Sequence, residues 1–401
     1  MKVKGTFFQN DKEKPLVYGD VEIINPKRRR LRGEEEKEGI LAESVIVGFC
    51  GTDNELMHMG MEGRLTAKFP EGQKRLINGH EGIVWVPSQN RFAIVLIRGG
   101  NSYDPTRYTE EESYFEYGCD GADGLFSDRN YYHPDMLLEI PEGYVKDGKL
   151  ALSLAKKLVF PDPYGCMIFQ RERMEDLGEA QNFRVEMAQH KCNEADAREL
   201  AKKNTFKRVC IFGLGTTGMF IGDLLRQRYP EANIVFVGRS EENSTKVKFA
   251  KEQAKAEYVQ SNFASNEELA KAIIEKLGGT ATTFIGVSGT NIEHEIAFQY
   301  GVLGCNGIYN SFSLGPVVSY DTMPFGFKNN LIFGSINFRQ DHMEEAIKIL
   351  VNSSYDQIVE LIDKDEFISD PMKAYKSKIY SKGAPLKTAV IWNDKYIDKN
   401  R

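Results

Sequence analysis

The chain has 401 residues, a formal charge of −6 and a pI near 5.7. This length accommodates two domains, each with its own hydrophobic core. The acidic balance argues against a nucleic-acid-binding surface, which requires a basic face. A local basic run at 27–33 is followed at once by the acidic run 34–38, so we expect a solvated surface turn there.

Membrane and export signals are missing from the sequence pattern. No segment has the roughly 18 uninterrupted apolar residues that a membrane-spanning helix requires, and residues 1–15 (MKVKGTFFQNDKEKP) lack the apolar core of a signal peptide. Six cysteines without regular spacing do not indicate a disulfide framework. We therefore expect a cytoplasmic protein with reduced thiols.

The first half of the chain is predicted to be β-rich. Compact apolar runs at 44–47, 83–86 and 92–97 are separated by Gly, Pro and Asn, as short antiparallel strands would be. The pattern changes after about Pro161, where the sequence predicts helices over 163–171 and 195–203.

Strands and helices alternate from Lys207 onward. The predicted strands are 209–212, 234–237, 283–287, 307–310 and 331–333, and the first two are followed by predicted helices at 219–226 and 245–254. This alternation predicts a parallel sheet with helices on both faces and a ligand at the carboxyl ends of its strands. In the tail, helices are predicted over 342–350 and 355–361, and a strand over 386–392 (LKTAVIW).

Two short motifs place metal-binding side chains in the β-rich half. Cys50 stands in GFCGTD (48–53), and His80 stands in GHE (79–81) next to Glu81. Zinc accepts sulfur, nitrogen and oxygen ligands, and a catalytic zinc site keeps one coordination position open. The alternatives are a small buried cysteine and a hydrogen-bonded core histidine. Because the two motifs occur together, they favour a zinc site.

A glycine-rich motif predicts dinucleotide binding. It comprises Gly213, Leu214, Gly215, Thr216, Thr217 and Gly218. The motif follows a predicted strand and opens a predicted helix, which is the context that GxGxxG requires. Gly213 would form the tight turn, Gly215 would admit the pyrophosphate, and Gly218 would let the helix pack on the sheet. The pyrophosphate would lie at the helix N-terminus.

The end of the second predicted strand indicates which dinucleotide is used. The acidic residue that would hold the ribose of NAD is missing, and Gly238, Arg239 and Ser240 stand there instead. An arginine and a hydroxyl suit a 2′-phosphate, so we expect NADP to be preferred over NAD, with dual use left open. The alternative is that Arg239 stacks on adenine while Glu241 or Glu242 holds the ribose.

The chain resembles the zinc-dependent medium-chain dehydrogenases/reductases, and more narrowly their glucose 1-dehydrogenase branch. The matching segments are GFCGTDNEL (48–56), NGHEG (78–82), FEYGCDGADGLFSD (115–128), DPYG (162–165), FGLGTTG (212–218), VGRS (237–240) and FGSIN (333–337). The resemblance covers nearly the whole chain and implies an α/β protein. It implies a GroES-like β-rich catalytic domain (1–165), a Rossmann domain with a doubly wound parallel sheet (166–340) and a C-terminal segment (341–401) that returns to the first domain. It also implies a homodimer or homotetramer.

The resemblance also implies roles for individual residues. The metal residues are Cys50, His80, Glu81 and Asp162; the catalytic residues are Thr52, Asp53 and Glu81; and the substrate residues are Glu116, Asp162 and Asn337, with Asn337 also near the cofactor. Glu81 either binds the metal or orients it from outside, and Asp53 either accepts a hydrogen bond from His80 or only forms a turn. The third ligand stays open between Asp162, which could instead cap a helix before Pro163, and Cys166. Glu116 could also lie on the surface of an acidic stretch at 110–116.

Two departures from the resemblance bear on function. Many relatives hold a structural zinc with four closely spaced cysteines, but residues 88–118 contain none and include a Gly/Asn/Pro loop at 98–105. We therefore expect one catalytic zinc and no structural zinc. Some relatives have a histidine shortly before the GSIN segment, where this chain has Phe327, so the sugar is not identified.

The implied reaction is hydride transfer between a sugar or polyol hydroxyl and NAD(P). Zinc would act as a Lewis acid on the hydroxyl, Thr52 would accept its proton, and the nicotinamide would take the hydride. Thr52 could alternatively serve only to cap a turn. Other candidate functions are a dehydrogenase of a cyclitol, amino alcohol or simple alcohol, and a nucleotide-binding relative without catalysis. The presence of Cys50, Thr52 and His80 argues against the last.

Overall fold

The computed structural model describes residues 1–11, 13–31, 33–59, 68–100, 114–141, 143–312, 322–379 and 385–401. The chain divides into two compact units: unit 1 comprises Met1–Gly165 and Asn337–Arg401, and unit 2 comprises Cys166–Ile336. The predicted loop at 98–105 and the acidic stretch at 110–116 each lie partly outside the described residues, which omit 101–113.

In chain order, the strands are β1 Lys2–Gln9, β2 Leu16–Glu22, β3 Ile40–Gly48, β4 Arg75–Ile77, β5 Glu81–Val86, β6 Arg91–Val95, β7 Arg98–Gly99, β8 Phe115–Tyr117, β9 Gly121–Ala122, β10 Arg129–Tyr132, β11 Leu137–Glu139, β12 Val145–Lys146, β13 Lys149–Ala151, β14 Arg208–Phe212, β15 Asn233–Gly238, β16 Glu257–Gln260, β17 Ala281–Gly286, β18 Leu303–Ser311, β19 Leu331–Phe333, β20 Val359–Ile362, β21 Lys387–Ile391 and β22 Ile397–Asp398.

The α-helices follow the same order. They are α1 Gly51–Met59, α2 Leu152–Lys157, α3 Pro161–His190, α4 Glu194–Thr205, α5 Thr216–Arg228, α6 Thr245–Ala254, α7 Asn266–Leu277, α8 Asn291–His294, α9 Thr322–Phe327, α10 Gln340–Val351, α11 Lys364–Ser369 and α12 Pro371–Ala374. Short π-helical turns at Glu295–Gln299 and Tyr375–Ile379 extend α8 and α12.

Unit 1 is organised around a seven-stranded sheet with the order β11-β6-β5-β3-β21-β20, in which β10 also pairs with β3. Its central strand β3 is buried from Ala42 to Gly48, which explains the apolar run at 45–47. The C-terminal strand β21 pairs antiparallel with β3, with Val390 opposite Val47. The tail of the chain therefore supplies a central strand of this sheet.

Unit 2 contains a six-stranded parallel sheet with the order β16-β15-β14-β17-β18-β19. Strand order reverses at β14, because β15 and β17 lie on its two sides. One face carries an apolar core that includes Phe284, Ile296 and Tyr309. The prediction of an α/β chain with a β-rich N-terminal region and a parallel sheet is confirmed.

Three local predictions differ from the structure. Residues 355–361 are not a helix: a 3₁₀ turn at Tyr355–Ile358 leads into β20, which pairs parallel with β21. Long-range pairing overrides local periodicity there. Helix α3 begins at Pro161, so Asp162 lies within its first turn and does not precede it. The basic run is only partly solvated, because the Arg28 guanidinium packs 4.6 Å from the centre of the Phe115 ring and donates to the Gly121 carbonyl.

Within the described part of the chain, no helix combines the length and the apolar character needed to cross a bilayer.

Candidate metal and dinucleotide sites

The end of β3 and the start of β5 bring the two metal motifs together. Gly48 pairs with Glu81 in the antiparallel ladder, so Cys50 follows one strand where His80 precedes the other. One ligand atom each from Cys50, His80 and Glu81 lies within 4.8 Å of the other two. This separation is compatible with a shared metal ion after small side-chain adjustments.

His80 is held in a tightly packed position. The residue is 2% exposed, and neither ring nitrogen has a hydrogen-bond partner among the described residues. Gly79 precedes it with φ +83°, and a Cβ at Gly79 would collide with the Phe126 ring. A buried imidazole without a hydrogen bond is costly, and a metal bond to one nitrogen would offset that cost.

Cys50 lies at the start of α1 with Thr52 beside its sulfur. The Thr52 backbone N–H donates to Sγ at 3.5 Å, and the thiol donates to the Thr52 hydroxyl at 3.6 Å. Burial raises the pKa of Cys50 to about 11, although the positive charge of Lys387 opposes this shift. A coordinated zinc ion deprotonates such a thiol outright, so the donor set fits a zinc ion.

Asp53 connects the two motifs through backbone hydrogen bonds. Its fully buried carboxylate accepts from the Cys50 N–H at 3.1 Å and from the Gly79 N–H at 3.2 Å. Burial raises the pKa of Asp53, and the charge of His80 and these N–H donors oppose the shift. The predicted hydrogen bond from His80 to Asp53 is not present among the described contacts. Asp53 instead fixes the two loops that carry Cys50 and His80.

Glu81 is engaged by a cation from the C-terminal strand. The Lys387 ammonium forms a buried ion pair with Oε2 of Glu81. Burial lowers the pKa of Lys387 to about 8, against the opposing effect of the charges of Cys50 and Asp53. Glu81 therefore lies beside the metal position with part of its charge already neutralised.

Asp162 lies near the His80 ring. Its Oδ2 is 4.0 Å from the His80 Nε2, and its Oδ1 accepts a hydrogen bond from Arg98 at 3.0 Å. Cys166, the alternative ligand, is not in the Cys50–His80–Glu81 group, and its thiol donates to the Ile336 carbonyl at 3.1 Å.

The expected substrate residues are buried in unit 1. Glu116 is 6% exposed, so it is not on the surface; it contacts Arg98 at 3.2 Å and accepts from the Tyr114 hydroxyl at 2.8 Å. Asn337 is 1% exposed, and neither amide atom has a partner among the described residues. Arg98 also lines a cavity of about 330 Å³, whose wall further comprises Arg30, Leu31, Leu96, Phe338, Arg339, Gln340 and Asp341.

In unit 2, the glycine-rich motif forms the turn between β14 and α5. Gly213 has φ +120°, and a Cβ at Gly218 would collide with the Gly213 carbonyl oxygen. A Cβ at Gly215 would meet nothing within 4 Å, which leaves room in front of the helix N-terminus. Leu214 is buried, and Thr216 and Thr217 begin the helix. This arrangement fits a pyrophosphate bound at the end of the helix.

Two basic residues lie near the end of β15: Arg239 follows the strand, and Lys246 stands in the first turn of α6. Arg239 is exposed, and the described contacts include no carboxylate bound to it. Burial lowers the pKa of Lys246, and the nearby charge of Arg239 lowers it further. Ser240 accepts a hydrogen bond from Tyr258 through its carbonyl oxygen, and Gly238 packs near the same tyrosine. Glu242 is paired with Lys251 at 3.2 Å.

Three residues at these sites were missed at the sequence level: Arg98, Lys246 and Lys387. Lys387 offered a signal, because it is the only charged residue in the largely apolar segment LKTAVIW, and a buried lysine requires a carboxylate partner. Arg98 and Lys246 stand in no motif, and only the folded chain brings them to Glu116 and Arg239 respectively.

The chain is similar in sequence to two proteins named glucose 1-dehydrogenase. No family model matches the chain. The chain is 25% identical over 322 residues to glucose 1-dehydrogenase 2 of Caldivirga maquilingensis, an overlap that covers 75% of this chain and 77% of that protein. It is 30% identical over 150 residues to the glucose 1-dehydrogenase of Halobacterium salinarum, covering 32% of this chain and 40% of that relative.

Solved structures resemble the chain over almost its full length. Haloferax mediterranei glucose dehydrogenase in complex with NADP, Zn and gluconolactone matches with a TM-score of 0.68 at 18% identity, covering 97% of this chain and 99% of that one. The 2R,3R-butanediol dehydrogenase from Bacillus subtilis matches with a TM-score of 0.66 at 17% identity, covering 98% and 100%. At these identities the structural matches bear on the fold alone.

Proposed function

The chain has the fold of the medium-chain zinc dehydrogenases and is a distant homologue of proteins named glucose 1-dehydrogenase, and on this basis we propose that it oxidises a hydroxyl group of a sugar or polyol with NADP. The observation that carries the proposal is the grouping of Cys50, His80 and Glu81 within 4.8 Å. The chain also has a glycine-rich turn open to a pyrophosphate.

The zinc ligands we propose are Cys50, His80 and Asp162. The thiol and the imidazole are the donors that zinc prefers, and a carboxylate completes a three-residue catalytic set with one open position. Asp162 lies outside the group of Cys50, His80 and Glu81, so its carboxylate would have to move toward Cys50 when the metal binds. We favour it over Glu81 because Oε2 of Glu81 is bound to Lys387, whereas Oδ2 of Asp162 lies 4.0 Å from the His80 Nε2. Glu81 then acts from outside the ligand set, where its charge offsets that of Lys387.

When bound, zinc would supply Lewis acidity to a substrate hydroxyl and NADP would supply a hydride acceptor. Thr52 lies next to the Cys50 sulfur, and its hydroxyl would accept a hydrogen bond from the substrate hydroxyl and pass its own proton outward as the substrate proton arrives. The Thr52 backbone N–H donates to the same sulfur, so the residue also favours the thiolate form of Cys50. Asp53 holds the loops that carry Cys50 and His80 together by accepting hydrogen bonds from the backbone of both.

The preference for NADP is supported by the charges at the end of β15. Arg239 and Lys246 form a basic pair there, and Ser240 adds a hydroxyl. A phosphate at the 2′ position would neutralise this pair through charge-assisted hydrogen bonds. The carboxylate of Glu242 is paired with Lys251, which weakens the alternative in which it holds the ribose of NAD.

A polyhydroxylated substrate is supported by buried polar groups of unit 1. Glu116, Asn337 and Asp162 offer carboxylate and amide groups, and Arg98 lines the cavity wall. Buried polar groups without partners cost about 1–3 kcal/mol each. The Asn337 amide has no partner among the described residues, and an additional hydroxyl of a polyol would offset that cost, whereas a simple alcohol has only its reacting hydroxyl.

The test is a substrate panel on zinc-loaded protein. Sugars, sugar alcohols, cyclitols, amino alcohols and simple alcohols are each incubated with NADP and with NAD, and absorbance of the reduced cofactor is followed. We expect reduction of NADP with at least one sugar or polyol, and little with simple alcohols. Turnover only with simple alcohols would contradict the substrate class. No turnover with any hydroxyl compound, in protein that binds both zinc and NADP, would contradict catalysis.

A further inference from the structure

Arg98 is a buried cation that joins the two carboxylates assigned above to metal and substrate. It lies on β7, directly opposite Glu116 on β8. Its guanidinium contacts Glu116 at 3.2 Å and Asp162 at 3.0 Å, and the side chain is 11% exposed. The guanidinium carbon is also 5.5 Å from the centre of the Phe338 ring. Two carboxylates and an aromatic ring thus restrain this side chain on three sides.

The two oxygens of Asp162 have different surroundings. Oδ1 accepts from Arg98, whereas Oδ2 is directed at His80 and lies 4.0 Å from Nε2. Nitrogen and oxygen ligands of one tetrahedral zinc lie about 3.4 Å apart, from bond lengths of about 2.0–2.2 Å. A shift of roughly half an ångström would bring Oδ2 into that geometry while Oδ1 keeps its bond to Arg98.

We propose that Arg98 is a positioning residue that orients the Asp162 carboxylate so that Oδ2 binds the metal. The inference rests on the proposed function, because it takes Asp162 to be a zinc ligand. The planar guanidinium can hold two carboxylates at fixed angles. It also offsets the repulsion between Asp162 and Glu116, which would otherwise share a buried region with no cation between them. Arg98 therefore acts through Asp162 and does not itself touch the reacting atoms.

The test measures zinc affinity, with no need for turnover. Apo-protein carrying Arg98→Met is titrated with zinc against a chromophoric chelator, and its fold is checked by near-ultraviolet circular dichroism. We expect zinc binding to weaken by about 10- to 100-fold, the effect usually seen when the hydrogen-bond partner of a metal ligand is removed. In Co²⁺-substituted protein, we also expect an altered visible absorption spectrum, because this spectrum reports the number and geometry of the metal ligands.

Arg75→Met is the matched control. Arg75 is likewise buried in unit 1 and ion-paired with a buried carboxylate, that of Asp123, but neither residue contacts the metal group. We expect this variant to lose stability and to keep wild-type zinc affinity and the wild-type Co²⁺ spectrum. If Arg75→Met weakens zinc binding as much as Arg98→Met, a general loss of packing explains both and the proposal is overturned.

A third variant, Asp162→Asn, separates this inference from the ligand assignment. We expect it to weaken zinc binding at least as strongly as Arg98→Met. If Asp162→Asn weakens binding and folded Arg98→Met does not, the positioning role alone is wrong. If neither does, Asp162 is not a ligand and both proposals fail. Should Arg98→Met not fold, Arg98→Lys decides, because lysine keeps the charge but not the planar fork: weaker zinc binding supports the proposal, and wild-type affinity overturns it.

Discussion

Cys50 is the residue on which the metal site depends most directly. Burial raises its pKa to about 11, so the thiol is protonated at neutral pH unless a bound cation displaces the proton. We expect Cys50→Ser to fold normally and to lose zinc, because the serine hydroxyl is a much weaker zinc ligand. Elemental analysis after dialysis measures the loss. Cys192→Ser is the control, because Cys192 has the same intermediate exposure and lies outside the metal group. Zinc retained by Cys50→Ser would remove Cys50 from the ligand set.

Thr52 separates proton transfer from metal binding. Its hydroxyl lies 3.6 Å from the Cys50 sulfur, while its backbone N–H makes a second contact that survives substitution. We expect Thr52→Val to lower kcat by about 10²- to 10⁴-fold, the usual contribution of general acid–base catalysis, and to leave zinc content unchanged. Thr52→Ser keeps the hydroxyl and should retain most of the activity. Similar kcat values for the valine and serine variants would leave Thr52 with a turn-capping role only.

Residues differ in how far the sequence could predict their place. Cys50 and His80 each lie next to a strand, and the two strands pair with each other. Short sequence motifs were therefore enough to predict that both residues belong to one metal site. Lys387 meets Glu81 across 306 positions, and Arg98 meets Asp162 across 64. The local sequence does not identify either partner, because a buried ion pair depends on which strands become neighbours. The pairings of Lys387 with Glu81 and of Arg98 with Asp162 were therefore visible only in the folded chain.

Two similar substitutions in the glycine-rich turn between β14 and α5 are expected to affect different properties, one the affinity for NADP and the other the stability of the fold. A Cβ at Gly215 would face open space, at a backbone φ of −95° that alanine tolerates. A Cβ at Gly218 would strike the Gly213 carbonyl oxygen. We expect Gly215→Ala to keep the wild-type Tm and weaken NADP binding, because its methyl group occupies the space proposed for the pyrophosphate.

Gly218→Ala is the counterpart in this prediction. We expect it to lower the free energy of unfolding by about 1–3 kcal/mol, the usual cost of forcing extra volume into a packed site. Thermal melts measure stability and isothermal titration calorimetry measures NADP affinity. Wild-type NADP affinity in Gly215→Ala would show that the pyrophosphate does not lie at this turn.

The predicted preference for NADP over NAD depends on Arg239, which follows the end of β15. A charge-assisted contact to phosphate is worth roughly 1.5–3 kcal/mol, which corresponds to about a 10- to 100-fold preference for NADP over NAD in kcat/KM. We expect Arg239→Ala to erase most of this preference by raising KM for NADP, with little effect on NAD. Lys271→Ala is the control, because this exposed lysine pairs with Glu267 within α7. Equal use of NAD and NADP by the unaltered protein would assign Arg239 to adenine stacking instead.

Elements were predicted well where the local pattern and the long-range pairing agree. Strand β19 and helix α6 have the predicted bounds. The apolar run LIF indicates the strand, and the amphipathic pattern of α6 indicates the helix. The segment 355–361 was mispredicted because Val359 and its neighbours form a short edge strand, whose partner β21 is far away in sequence. Four residues are too few for periodicity to distinguish a strand from a helical turn.

At the scale of the whole molecule, the two units differ in how their sheets relate to the chain. The parallel sheet of unit 2 is built from one continuous segment, Cys166–Ile336, so strand–helix alternation alone predicted it. The sheet of unit 1 takes its strand β21 from the C-terminal tail. The residues of LKTAVIW predict a strand, but they do not indicate its neighbour. Resemblance to known proteins supplied that expectation.

The zinc content of the whole chain gives the last prediction. Among the described residues, one cluster of histidine, cysteine and carboxylate ligands is compact enough to hold a metal: it comprises Cys50, His80 and Glu81, with Asp162 beside His80. The sequence has no cysteine between Cys50 and Cys119, so a four-cysteine structural site of the usual kind cannot form there. We expect about one zinc per chain after metal saturation and dialysis, measured by elemental analysis against protein concentration. Zinc should also raise Tm, because it binds the folded state, and Cys50→Ser should abolish that rise. Two zinc ions per chain, or one zinc that persists in Cys50→Ser, would mean that a second site forms from other residues.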